Sequence, residues 1–111
     1  MASYIPRRGD LIALSFDPQS GYEQRGRRPA LVLSHELFNR HTGLCFACPI
    51  TSTDRRHPFH VALPDGHEVT GFVMVEQVKS IDYRARRAKR LGAAPVAVLE
   101  EALSLLDAVV Y

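Results

Sequence analysis

"PFHVALPDGHEVTGFVMVEQVKSI", residues 58–81, decides the fold class. Over 58–63, Phe59, Val61 and Leu63 alternate with their neighbours, the period of a half-buried strand whose other face meets water. "PDGHE" (64–68) carries turn chemistry, and "TGFVMVEQVKSI" (70–81) is the longest strand candidate in the chain. Two strands flanking a short turn predict an antiparallel hairpin.

The segments on either side extend the same pattern. "DLIALSF" (10–16) puts Leu11, Ala13 and Ser15 on one face and Ile12, Leu14 and Phe16 on the other, then ends at the turn cluster "DPQSG". "ALVLS" (30–34) is continuously apolar, as a central strand would be. "HELFNRHTG" (35–43) predicts a helical turn with Ser34 as N-cap and Gly43 closing it. "LCFACPIT" (44–51) reads as a further buried strand, in which Pro49 implies an edge or a bulge. "DYRARRAKRLG" (82–92) is basic and irregular. At the C-terminus Pro95 suits a first helical position, and Val96, Leu99, Leu103, Leu106 and Val110 recur at helical spacing as one apolar stripe. The expected architecture is α+β, mainly β: five mostly antiparallel strands, a short helix and a C-terminal helix on the sheet, as one domain over 1–111.

Composition narrows the function classes. The chain has 111 residues, enough to bury a core without metal or disulfide staples. No apolar run approaches the roughly 18 residues of a membrane span, and "MASYIPRRGD" has no apolar leader, so a cytoplasmic protein with no membrane partner is expected. Net charge is only +2, but residues 91–111 hold Glu100, Glu101 and Asp107 with no Lys or Arg, leaving 14 cations against 9 anions on the rest. Twelve of those cations are Arg, whose planar fork fits phosphate bidentately, so the basic body points toward a polyanion. Cys45 and Cys48 have C-x-x-C spacing, but on a strand an odd separation puts them on opposite faces, and no second pair completes a zinc site. Two buried thiols are expected, with no metal and no cofactor.

Polar residues collect in three segments: 22–28, with Tyr22, Glu23, Gln24, Arg25, Arg27 and Arg28; 51–57, with Thr51, Ser52, Thr53, Arg55, Arg56 and His57; and a run from Glu76, Gln77 and Lys79 into Arg84, Arg86, Arg87, Lys89 and Arg90. These could meet at one end of the sheet. There is no P-loop, no nucleophile elbow, and no cluster of His, Cys and carboxylate ligands in the sequence. A carboxylate, guanidinium groups and hydroxyls nonetheless suffice for metal-free RNA cleavage, because RNA carries its own nucleophile, the 2′-hydroxyl. A base takes its proton, an acid protonates the leaving 5′-oxygen, and donors hold the charge on phosphorus.

"GYEQRGRRPALVLS" (21–34) resembles the G-x-E-Q-x-G-x-R-P segment of the MazF/PemK/Kid-type toxins, the mRNA interferases. "GDLIALSFDPQSG" is similar to that family's opening strand and "FDP" turn, "CPITST" to its strand ending in P-x-T, and "VEQVKSIDYRAR" to its [DE]-Q-x-[KR]-[ST]-I-D segment. The resemblance covers nearly the whole chain. It implies an SH3-like antiparallel barrel and a homodimer. The activity it implies is a sequence-specific endoribonuclease that cuts single-stranded RNA without metal, leaving 2′,3′-cyclic phosphate and 5′-hydroxyl ends. It also implies a MazE-like antitoxin with an acidic tail, DNA being touched only through the antitoxin complex.

Carried over by position, Arg28 is the motif arginine, Thr51 the strand-end threonine that hydrogen-bonds the scissile phosphate, and Glu23 a base or an organiser of Arg28. Glu76 matches an acidic position that some members use as base; Gln24, Gln77 and Ser52 stand beside these as catalytic or RNA-binding candidates. Arg25, Arg27, Arg56, His57, Lys79 and Arg86 are the expected RNA contacts, and no histidine is given a catalytic role. Two positions depart from some relatives: Tyr22 stands where they have His, and Met74 where they have Arg. The alternative from another class is a non-catalytic toxin of the same fold acting on a protein such as gyrase.

Overall fold

The computed structural model describes residues 3–15 and 27–111. Strands β1 (Asp10–Ser15), β2 (Arg27–Val32), β3 (Leu44–Thr51), β4 (His60–Leu63), β5 (Gly71–Met74), β6 (Lys79–Asp82) and β7 (Lys89–Ala93) are joined by helix α1 (Glu36–Thr42), a 3-10 turn (Val75–Gln77) and helix α2 (Val96–Val110). All pairings are antiparallel, in the order β4-β5-β3-β2-β1-β7, with β6 also on β3. The result is a curled, mainly β half-barrel with α2 against it, the expected fold class.

The long strand expected over 70–81 is two strands. Its first part pairs Ile50↔Val73 and its second Ala47↔Lys79. Between those pairs β3 advances three residues while its partner advances six. The three surplus residues fold into the turn Val75–Gln77, closed by Val78 N–H donating to Val75 O at 3.1 Å. The basic run also departs from expectation, because Lys89–Ala93 is an edge strand on β1 with a bulge at Leu11/Ile12. Arg90 belongs to this frame: its Nε is 3.1 Å from Oδ1 of the buried Asp10, whose Oδ2 accepts the Tyr4 hydroxyl. Burial, and then that carboxylate, push the Tyr4 phenol well above its ordinary pKa.

Alternation along β1, β2 and β3 divides the apolar residues between two clusters. One holds Leu11, Leu31, Leu33, Cys48, Ile50, Val61, Leu63 and Val73; the other Ile12, Leu14, Ala30, Val32, Cys45, Ala47, Ile81 and Tyr83. Cys45 and Cys48 thus lie on opposite faces as buried free thiols, each pushed up to about 12 by burial. Helix α2 covers the first cluster, but through Val98 and Ala102, with Leu99, Leu103, Leu105 and Leu106 packed alongside. The expected stripe is therefore rotated: Val98 and Ala102 are buried, Leu99, Leu103 and Leu106 of the expected stripe pack beside them, and Val96 and Val110 lie at the helix ends, 69% and 70% exposed. Pro95 precedes the helix rather than opening it.

Helix α1 begins one residue later than expected, with His35 at the cap position. Ser34 instead donates to Asn39 Oδ1 at 2.6 Å and accepts the Phe46 N–H at 2.8 Å. Gly43 closes the helix as read from the sequence, at φ 74°, its N–H on Asn39 O.

Candidate active site and nucleic-acid interface

Arg28 enters the sheet at the start of β2, opposite Leu14 of β1, and is exposed. It lines a cleft of about 260 Å³ with Ala13, Arg27, Pro29, Glu68, Val69, Thr70 and Leu91. On its other side β2 pairs with β3 through Val32↔Ala47, Leu31↔Cys48 and Ala30↔Pro49. The ladder ends at Ala30↔Pro49, so Arg28, two residues before Ala30, and Thr51, two residues after Pro49, stand at the same end of the two strands, just beyond the last pair. Thr51 is half-buried at the end of β3, where its Oγ1 accepts the Thr53 N–H at 3.2 Å and its backbone pairs with Phe72. Ser52 follows it, exposed. Glu23, Gln24 and Arg25 lie outside the described residues.

Arg27 directs its donors inward: Nη1 to Ser15 Oγ at 3.3 Å, and Nη2 to Ala13 O at 3.2 Å and Arg87 O at 2.9 Å. Arg86 reaches Ser15 O at 3.1 Å, and Ser15 N–H returns to Arg86 O at 3.0 Å. These two arginines, expected among the RNA contacts, bind the end of β1 to β2 and to the 84–88 turn. Lys79 is exposed at the start of β6.

Glu76 and Gln77 occupy the 3-10 turn rather than a strand, and both are exposed. Glu76 stands past the far end of β5 from Phe72, the partner of Thr51, roughly 10 Å along the sheet. Its Oε2 is 3.1 Å from His60 Nε2. Partial burial works against the Glu76 charge. The hydrogen bond with His60, a backbone hydrogen bond and the fields of His60 and His57 outweigh it and hold the carboxyl below its ordinary pKa.

His57 stacks on His60, so His57, His60 and Glu76 place one potential ligand atom each within 4.8 Å of one another. The sequence showed no such grouping; the fold brings the three side chains together. His57 and His60 are three residues apart across a loop–strand junction, and Glu76 joins them only because β4 pairs with β5 through His60↔Met74. Glu68 and Thr70 were also missed. Both belong to the turn following β4, and only the closing of the sheet brings them into the Arg28 cleft.

Among the described residues no helix is long and apolar enough to cross a membrane. Residues 7–110 match the family of PemK-like, MazF-like toxins of type II toxin–antitoxin systems. The chain is 44% identical over 108 residues to the endoribonuclease toxin MazF of Escherichia coli K12, covering 97% of this chain and 93% of that one. It is 47% identical to the endoribonuclease toxin ChpB of the same organism, covering 93% and 92%. Its fold is similar to a crystal structure of MazE–MazF from Deinococcus radiodurans, with TM-score 0.88, 45% identity, and 96% and 97% of the two chains covered.

Proposed function

For this chain, which belongs to the PemK-like, MazF-like toxins of type II toxin–antitoxin systems, we propose an endoribonuclease activity that cuts single-stranded RNA at a short sequence without a metal. The observation that carries the reading is the β2–β3 register, which sends a guanidinium and a hydroxyl to the same end of two adjacent strands. Both stand just past the last pair of that ladder, so the Arg28 guanidinium and the Thr51 hydroxyl can approach one phosphate together.

The chemistry follows from that placement. The 2′-oxygen attacks phosphorus, its proton passes to a carboxylate, the bond to the 5′-oxygen breaks, and that oxygen is protonated as it leaves. The products are a 2′,3′-cyclic phosphate and a 5′-hydroxyl. Arg28 and the Thr51 hydroxyl hold the charge that builds on the non-bridging oxygens, an interaction stronger in the transition state than in the ground state. Glu23 is the motif carboxylate for the proton. Glu68 is a second carboxylate in the Arg28 cleft.

The natural regulator is a MazE-like antitoxin with an acidic tail, consistent with the MazE–MazF pairing in the Deinococcus radiodurans structure. A cytoplasmic homodimer is the expected working form, and exposed Leu37, Phe38, Leu44 and Phe46 offer apolar surface for self-association. The gyrase-poison alternative gains no support, since the curated relatives are named endoribonucleases.

The test is incubation with a long mixed-sequence RNA in EDTA, reading fragment ends. Cyclic-phosphate termini at a recurrent short sequence are expected, and Arg28→Ala should abolish them with an unchanged thermal melt. An active Arg28→Ala protein overturns the assignment.

A further inference from the structure

Two of the five histidines form a braced stack. The rings of His57 and His60 have centroids 4.6 Å apart and planes 19° apart, and Phe59 meets His57 edge-on at 6.2 Å. The inner ring is fixed, with the His60 side chain only 4% exposed and its Nε2 on Glu76 Oε2. The outer ring is oriented too, because His57 Nδ1 accepts the Phe59 N–H at 3.1 Å. His57 itself is exposed, so the outer ring of the stack is reachable from solvent while His60 backs it.

These residues have metal-ligand chemistry, but their arrangement is a stack and not a chelate. A metal bound by imidazole lies in the ring plane along the nitrogen lone pair. Two nearly parallel, overlaid rings do not aim their lone pairs at one point, and the Nδ1 lone pair of His57 is already engaged by an amide.

Resting on the ribonuclease reading above, we propose that the exposed His57 ring is a nucleobase-stacking platform of the RNA site, with His60 as its backing. The surroundings suit a planar base on an anionic backbone. Exposed Arg55 and Arg56 directly precede His57. Arg56 is held at φ 50°, a conformation bulky residues rarely adopt, with its N–H on Asp54 Oδ1 at 2.9 Å. The platform is also within reach of the reacting phosphate. Thr51 pairs with Phe72, and His60 pairs with Met74. Two strand spacings and two residues of rise put the stack about 12 Å from Thr51. A single strand occupying a site of ~4–16 nucleotides spans that distance easily. A rigid π-face binds any base, so the platform adds affinity and register, while neighbouring contacts read sequence.

The test compares His57→Ala, His57→Tyr and His57→Gln with the parent protein. Affinity is measured by fluorescence polarisation with a labelled 2′-O-methyl oligoribonucleotide of mixed sequence, which lacks the nucleophile and is not cut; cleavage of ordinary RNA is followed in parallel. His57→Ala should weaken binding about fivefold to a hundredfold and raise KM with kcat little changed. His57→Tyr should restore affinity and His57→Gln should not. Equal affinity in all four proteins overturns the platform, and so does rescue by Gln but not Tyr, which would assign His57 a hydrogen-bonding role. Absence of oligonucleotide binding by the parent protein also overturns it. Binding that depends on His57 in a protein that does not cleave RNA would refute the ribonuclease reading alone. Cleavage indifferent to His57 would refute the platform alone.

Discussion

Replacing Gly71 by Ala tests whether the end of β3 is held in place by close backbone contact. Gly71 has φ 120°, and a Cβ there would lie 2.3 Å from the Thr51 carbonyl oxygen, 3.1 Å from its carbonyl carbon and 3.3 Å from Ile50 Cγ2. The nearest obstacle is backbone, so no side chain can rotate away. Cβ atoms essentially never approach within 3.0 Å, so the strands must part locally by at least 0.7 Å at Thr51. Forcing a side chain into that φ region costs about 1–3 kcal/mol, and overpacking a similar amount again. A total near 3 kcal/mol lowers the melting temperature by roughly 10 °C or more in a domain of this size. If β3 takes up that shift, Thr51 moves by about 0.7 Å, enough to cost on the order of 10- to 100-fold in a reaction that depends on its position. Thermal unfolding and single-turnover RNA cleavage, the latter well below the variant's melting temperature, read the two effects separately. A Gly71→Ala protein that melts within about 2 °C of the parent refutes the packing argument. One that is destabilised yet cleaves at the full rate refutes the placement of Thr51 at the reacting phosphate.

Asn39 is fully buried, with Nδ2 donating to Pro6 O and Ser34 O and Oδ1 accepting the Ser34 hydroxyl. Asn39→Ala removes the partner of each and should cost about 2–4 kcal/mol by urea denaturation. Thiols held near 12 and buried are not thiolates at neutral pH, so Cys45 and Cys48 should react with a disulfide reagent only at the rate of unfolding. Rapid labelling of the native protein would contradict their burial.

The sequence carried the strand alternation because period-2 patterning is local: the two faces of β1, the odd separation of Cys45 and Cys48, and the helix stop at Gly43 all depend on near neighbours. It singled out Arg28 and Thr51, although that the strands carrying them are neighbours is a long-range fact that only the ladders supply. It could not show the break at Val75–Gln77, since Val73, Val75 and Val78 sustain an apolar run whether or not the chain bulges. The bulge follows from β3 accepting two partners on one edge, a long-range fact. Lys89–Ala93 was illegible as a strand because an edge strand can expose its side chains and owe its place to the ladder alone. The rotated stripe of α2 has a similar origin: the partner surface, not helical periodicity, selected Val98 and Ala102.

The bulge also bears on which carboxylate works. As part of a continuous strand, Glu76 would sit in line with the strand-end chemistry; in the 3-10 turn it stands past β5 and binds His60. Its depressed pKa makes it a weaker base, and its place in the 3-10 turn sets it about 10 Å along the sheet from the level of Thr51. Glu76→Gln should therefore leave kcat for RNA cleavage within a few-fold of the parent and preserve the pH–rate profile. Its effect belongs to stability. A carboxyl depressed on folding stabilises the protein above its ordinary pKa and loses that contribution as pH falls through the lower folded value. The melting-temperature gap between parent and Glu76→Gln should thus be full well above the ordinary carboxylate pKa and shrink as the pH falls below it. A 100-fold fall in kcat with loss of a basic group from the pH profile would return Glu76 to the reacting atoms. It would also require the sheet to bring the turn far closer to Thr51 than the registers of β3, β5 and β6 permit.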